Sequence, residues 1–77
     1  MTSLADLAIG QRAGVREVDG SGAIGARLLE MGLTPGIEVQ LLGKAPLGDP
    51  LEIELRGYRL SLRRSEAQRV TVEPLPA

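Results

Sequence analysis

Ala45-Pro46-Leu47-Gly48-Asp49-Pro50-Leu51-Glu52-Ile53-Glu54-Leu55-Arg56-Gly57-Tyr58-Arg59-Leu60-Ser61-Leu62-Arg63-Arg64 decides the fold of this chain. It reads as a proline-framed loop followed by a β-hairpin. Leu51, Ile53 and Leu55 alternate with Glu52, Glu54 and Arg56, and beyond the turn Tyr58, Leu60 and Leu62 alternate with Arg59, Ser61 and Arg63. Period-two alternation puts one face in a core and the other in water. With Arg56-Gly57 as a two-residue loop, Leu55 faces Tyr58, Ile53 faces Leu60 and Leu51 faces Leu62. Glu54 then faces Arg59 on the wet side, a pair worth at most about 1 kcal/mol. A slip of one residue would carry every leucine into water, so the register is fixed. The turn needs positive φ, which Gly57 supplies at no steric cost.

Upstream, Ile37, Val39 and Leu41 alternate with Glu38 and Gln40 as another strand, and Leu42-Gly43 breaks the phase as a bulge would. Thr34-Pro35-Gly36-Ile37 fits a type II turn, with proline preset for its second position and glycine for its third. Ile24, Leu28 and Met31 recur at helical spacing over about two and a half turns. Gly25 inside that helix costs about 1 kcal/mol relative to alanine. Gly32 offers the left-handed residue past the helix end, with Leu33 folding back on Leu28 in a Schellman cap. Leu29 falls off the core stripe.

Ala13 to Asp19 reads as a first strand with Val15 and Val18 out of phase, which again predicts a bulge. Ser3 to Leu7 suits a single helical turn with Ser3 as its N-cap. Downstream of the hairpin, Ser65-Glu66-Ala67-Gln68 suits a tight helical turn, Val70 and Val72 point inward on a last strand, and residues 74–77 form a frayed tail. Each proline of the Pro46–Pro50 loop holds its predecessor extended. The pattern predicts a mainly β chain, a small closed or nearly closed barrel of about five strands with one short helix between strands 1 and 2. Residues 1–77 form a single domain.

At 77 residues the chain buries only about 60–65% of its unfolded surface. It has no cysteine and no histidine, which removes disulfides, thiolate chemistry, the commonest general base and the commonest transition-metal ligand. The net charge of −1 gives no bulk attraction to nucleic acid or to an acidic membrane, and no direct membrane insertion is expected. Arg56, Arg59, Arg63, Arg64 and Arg69 nevertheless lie close in sequence with Glu66 alone against them, a basic edge for an acidic partner or an ordinary solvated strand face. No basic, apolar leader and no run near the roughly 20 apolar residues of a membrane span is visible, so a soluble, cytoplasmic protein is expected. There is no phosphate-binding G-x-x-x-x-G-K-[ST] loop. One tyrosine cannot line a groove for proline-rich peptides, and stacking platforms for nucleic acid are missing. Asp49, Glu52 and Glu54 could offer carboxylates to a metal, but Glu52 and Glu54 sit among arginines. No catalytic residue, cofactor or specific metal site is expected, and what remains is a binding module.

Two blocks carry a family resemblance. Arg27-Leu28-Leu29-Glu30-Met31-Gly32-Leu33-Thr34-Pro35-Gly36 is one; Ala45-Pro46-Leu47-Gly48-Asp49-Pro50 with Arg56-Gly57-Tyr58-Arg59-Leu60-Ser61-Leu62-Arg63 is the other. At this spacing they resemble the FeoA family of bacterial ferrous iron transport accessory proteins. The resemblance implies an SH3-like β-barrel and a non-enzymatic, cytoplasmic protein. It also implies FeoB as partner, a membrane ferrous iron transporter with a GTP-binding domain, which the chain would bind and modulate in activity or assembly, recruited to the inner face of the membrane. The expected contact surface combines Leu29 and Leu33 with Arg63 and Arg64, an apolar centre with an arginine rim. The competing readings are a self-associating barrel forming a homo-oligomer by strand pairing, a general interaction adaptor, and, less favoured, a small nucleic-acid-binding barrel. Arg56, Arg59, Arg63 and Arg64 are the candidates for an arginine supplied in trans to the partner's GTP hydrolysis.

Overall fold

A computed structural model describes residues 2–76. The longest stretch of sheet begins with β2 (Arg12–Val18), preceded by a two-residue β1 (Thr2–Ser3) and a 3₁₀ turn over Leu4–Asp6. Helix α1 (Gly22–Glu30) leads to β3 (Glu38–Lys44), β4 (Leu51–Leu55) and β5 (Tyr58–Leu62). A single turn of helix, α2 (Arg64–Ala67), precedes β6 (Val70–Pro74). The six strands form one sheet in the order β1-β6-β2-β3-β4-β5, with antiparallel neighbours throughout. The chain is mainly β as expected, with α1 between the first two long strands. The extra strand is the short β1, and among the described residues β1 and β5 do not pair with each other, so the sheet is curled without closing.

The hairpin takes the register that the alternation dictates: Leu51 opposite Leu62, Ile53 opposite Leu60, Glu54 opposite Arg59 and Leu55 opposite Tyr58. Arg56 and Gly57 both have positive φ, 49° and 81°, the condition of a type I′ turn. Leu51, Ile53, Leu55 and Leu62 are buried in one cluster with Leu4, Leu7, Val15, Leu28, Leu33, Leu41 and the β6 valines. Each such side chain contributes about 1.5–3 kcal/mol relative to exposure, which is how so short a chain holds together. Both expected bulges are present, between Val15 and Glu17 in the β2–β6 pairing and between Leu41 and Gly43 in the β3–β4 pairing. The type II turn is present too: Gly36 has φ +94° and the Ile37 amide donates to the Thr34 carbonyl at 3.2 Å.

Several local readings are corrected. Tyr58 is not a core residue. It is 43% exposed, and its hydroxyl donates to the Met31 carbonyl at 2.5 Å. A phenol wants a partner, and the end of a helix offers free carbonyls. The Schellman cap makes this approach feasible: the Leu33 amide donates to the Leu28 carbonyl at 3.2 Å, the Gly32 amide to the Leu29 carbonyl at 3.0 Å, and Gly32 has φ +100°. A Cβ on Gly32 would also stand 3.1 Å from the Tyr58 hydroxyl.

Ile24 is 44% exposed because α1 turns Gly25, not Ile24, inward, against the backbone of the Asp19–Gly20 loop. Gly25 is therefore a contact and not a defect: a Cβ there would lie 2.3 Å from the Gly20 carbonyl carbon and 2.7 Å from the Asp19 oxygen. Ser3 does not cap the first turn through its side chain. Its hydroxyl donates to the Asp6 carboxylate at 3.1 Å. Arg59 reaches diagonally to Glu52 at 3.7 Å instead of to Glu54. The tail is tied down further than expected, since Pro74 lies in β6 opposite Ala13 and the Leu75 amide donates to the Arg12 carbonyl at 2.9 Å. Ala77 lies outside the described residues.

Candidate functional site: two exposed faces around the helices

The four residues expected to form one contact patch do not stay together. Leu33 is fully buried, because the Schellman cap that follows α1 folds it into the core beside Leu28. It offers nothing to a partner. Leu29 is 40% exposed and leans over Gly20, which a Cβ would bring to 3.2 Å of its Cδ1. Arg27 is two helical positions away, and two residues turn a helix by about 200°. Its guanidinium sits on the other flank of α1, 3.3 Å from Glu66 Oε2. Arg63 shares a shallow groove of about 310 Å³ with Arg27, Asp49, Pro50 and Glu66. The structure thus separates Leu29 from Arg63 and Arg64 and gives two faces where the sequence suggested one.

Glu66 organises the second face. It is the buried charged residue, 4% exposed. Its Oε1 accepts the Arg63 amide at 2.9 Å, which caps α2, and its other oxygen faces Arg27. The signal was present in the sequence: an acidic residue three positions after the residue that opens a helix is one half of a capping box. A carboxylate in an interior is costly unless paired and hydrogen-bonded, and here it is both.

The loop after β3 completes this face. The Gly48 amide donates to the Ala45 carbonyl at 2.7 Å, and the Ala45 amide to the Pro50 carbonyl at 3.0 Å. Asp49 Oδ1 accepts the Arg64 amide at 3.0 Å, which locks the loop to the start of α2. Leu47 stands at the tip, 96% exposed, the most solvated large apolar side chain described. The guanidinium of Arg64 comes within 3.9 Å of a Cβ on Gly48. Sequence reading took this segment only as a rigid loop; the position of Leu47 at the apex of a proline-framed turn was the available clue.

Charge pairing is uneven over the surface. Arg12 pairs with Glu38, Arg16 with Glu73, Arg27 with Glu66, Arg59 with Glu52 and Arg69 with Asp19. Among the described residues Lys44, Arg56, Arg63 and Arg64 have no ion-pair partner. Asp19 lies at the loop leading into α1. The Ser21 hydroxyl donates to its carboxylate at 2.7 Å and the Ser21 amide at 3.1 Å; these bonds, with Arg69 nearby, hold it below the ordinary carboxylate value of 3.8. Among the described residues no group of three or more carboxylates, histidines or cysteines is placed to hold a metal, and no helix is long and apolar enough to cross a membrane.

The FeoA domain family model matches residues 2–74, nearly the whole of this fold. The chain belongs to the FeoA family. It is 37% identical over 70 residues to an Fe(2+) transport protein A/Fe(2+) transporter FeoB fusion protein of Porphyromonas gingivalis. That match covers 91% of this chain and 8% of the fusion protein, so the chain spans a small part of that relative's length. The solution structure of a FeoA-like protein from Clostridium acetobutylicum superposes with a TM-score of 0.90 at 38% identity, covering 100% of this chain and 93% of that one. The crystal structure of Stenotrophomonas maltophilia FeoA complexed with zinc, described as an SH3 domain protein, gives 0.80 at 35% identity over 95% of this chain and 91% of that one. The mainly β, SH3-like reading of the sequence stands.

Proposed function

We propose that this FeoA-family chain is a non-enzymatic accessory protein of ferrous iron uptake that docks on a FeoB-type transporter and biases its conformation or assembly. One observation carries the reading. In the Porphyromonas gingivalis relative, a segment matching 91% of this chain is part of the same polypeptide as the transporter. A fused domain sits at a high effective concentration near its partner, which is the condition under which a small docking module works. The charges described here are committed to capping, cross-strand pairing or solvent, and none is arranged as a nucleophile with its base, which supports a binding role.

The contact with the transporter is assigned to the α1 face carrying Leu29. An exposed leucine beside a helix C-terminus, close to the loop at Gly20, can seat in an apolar pocket and serve as an anchor. Docking alters the transporter only by differential affinity for two of its states. Calorimetric titration into the detergent-solubilised transporter, once with GDP and once with a non-hydrolysable GTP analogue, tests this. Affinity that differs between the two nucleotides, and that falls at least about tenfold for Leu29→Asp, supports regulation through this face. Equal affinities reduce the role to assembly. No binding in either state sinks the reading and leaves self-association, which light scattering over a concentration range would reveal.

A further inference from the structure

We propose that the Ala45–Pro50 loop is a membrane-contact element: Leu47 enters the headgroup region of an anionic bilayer while Lys44, Arg63 and Arg64 bind lipid phosphates. Leu47 is 96% exposed, so it contributes almost nothing to the fold, yet the loop that carries it is braced at three points. The Ala45–Gly48 turn, the Ala45–Pro50 bond and the Asp49 carboxylate on the Arg64 amide all hold it out from the sheet. A side chain kept in water by a rigid frame is preorganised for something outside the molecule.

The surrounding charge names the chemistry. Of the cations without an ion-pair partner among the described residues, three are at this end of the sheet. Lys44 is opposite Leu51, and Leu51 is opposite Leu62, so Lys44 ends one cross-strand row and Arg63 follows Leu62 at its other end. Arg64 adjoins Arg63 and overhangs Gly48. The carboxylates nearby are engaged elsewhere: Glu66 is buried against Arg27, Glu52 faces Arg59, and Asp49 holds the Arg64 amide. Counting Asp49 as fully charged still leaves a surplus of positive charge around an apolar tip. An apolar residue with basic neighbours is the composition that binds anionic lipid surfaces.

An acidic protein surface is the other occupant such a patch could take. Lipid is favoured by one general consideration, which rests on the transporter reading above for the location of the chain. Cytoplasmic loops of membrane proteins carry an excess of lysine and arginine near the bilayer. That surface repels Lys44, Arg63 and Arg64, whereas the adjoining anionic leaflet attracts them. One leucine and three cations give weak binding by themselves, which suits a second foothold that adds to a protein contact without replacing it.

The experiment uses the isolated chain and vesicles alone, so its failure leaves transporter docking untouched. Sedimentation with vesicles of phosphatidylcholine containing phosphatidylglycerol is compared with pure phosphatidylcholine. Binding is expected with the anionic lipid only, and it is expected to disappear in high salt. Each basic side chain near an anionic surface multiplies binding about fivefold, so Arg63→Gln with Arg64→Gln should lower it about 25-fold. Leu47→Ser should lower it about tenfold with the salt dependence retained. Because the chain has no tryptophan, Leu47→Trp supplies a fluorophore whose emission should shift to the blue on anionic vesicles. Leu29→Asp should leave vesicle binding unchanged while weakening transporter binding at least about tenfold, and Leu47→Ser should do less harm to the transporter contact in detergent. Failure to bind anionic vesicles at millimolar lipid overturns the proposal. So does binding indifferent to Leu47 and to Arg63 with Arg64. A Leu47-dependent contact with the soluble part of the transporter in the absence of lipid overturns it in favour of an acidic protein partner.

Discussion

Replacing Gly25 by alanine sets two physical effects against each other, and the structure decides which wins. Helix propensity alone favours alanine by about 1 kcal/mol. A Cβ at Gly25, however, would stand 2.3 Å from the Gly20 carbonyl carbon, 2.6 Å from the Gly20 Cα and 2.7 Å from the Asp19 oxygen. All three are backbone atoms, so no rotamer change relieves the clash. Normal carbon contact near 3.5 Å requires α1 to retreat by about 1 Å. Overpacking of this kind costs about 1–3 kcal/mol, and a backbone-only contact belongs in the upper half of that range. The net expectation for Gly25→Ala is a loss of about 1–2 kcal/mol. For a domain of this size that lowers Tm by about 5–15 °C, readable by circular dichroism during thermal and urea melts. Gly43→Ala is the matched control, since a Cβ there meets nothing within 4 Å. It should be neutral to stabilising, by up to about 1 kcal/mol. A Gly25→Ala variant as stable as the parent, or more stable, would refute the close crossing of α1 over Gly20. It would restore the reading of Gly25 as a mere helix defect.

Glu66→Ala should cost about 1–2 kcal/mol by removing the α2 cap and the partner of Arg27, while Glu66→Gln, which keeps an acceptor for the Arg63 amide, should cost less than half as much; paired urea melts measure both. Tyr58→Phe should cost about 0.5–1.5 kcal/mol through the lost bond to the Met31 carbonyl, and an unchanged urea midpoint would show that this bond is idle. Asp19 gives a pH prediction. Its carboxyl is held below the ordinary value of 3.8 by Ser21 and then Arg69, so as pH falls the unfolded chain takes up this proton first. The stabilisation is therefore complete above the unfolded value and lost as pH falls through the folded one. The stability difference between the parent and Asp19→Asn should be constant from about pH 5 to 7 and shrink below about pH 4. A difference that stays constant down to pH 3 would rule out this linkage.

The hairpin register, both bulges, the Schellman cap and the type II turn were legible because each is fixed by residues adjacent in sequence. Period-two alternation, a phase break, and glycine at a position of positive φ are local signals that tertiary context has little freedom to override. On α1, Leu28 in the core and Leu29 off the stripe came out as read, and Ile24 is where the reading of the helix face failed. The i, i+4, i+7 rule put Ile24 in the core, but an apolar stripe on a helix of about two and a half turns tolerates a rotation of tens of degrees, and the close approach at Gly25 sets that rotation. Leu29 and Arg27 are parted by helix geometry itself, about 200° for two residues, and the cap that sequence did predict buries Leu33. Leu33 was offered to a partner and to a Schellman fold at once, and the two roles exclude each other: the apolar residue of such a cap is the one that returns to the core. The exposed loop was missed for the opposite reason. Alternation reports only on strands, so a single leucine between two prolines carries no periodic signal, and its exposure appears once the bracing bonds of the loop are seen. The residues that hold this fold are thus the ones its patterns announce. The exposed leucines, Leu29 and Leu47, fit no pattern, and in a chain this short an apolar side chain outside every periodic stripe is where a search for contacts should begin.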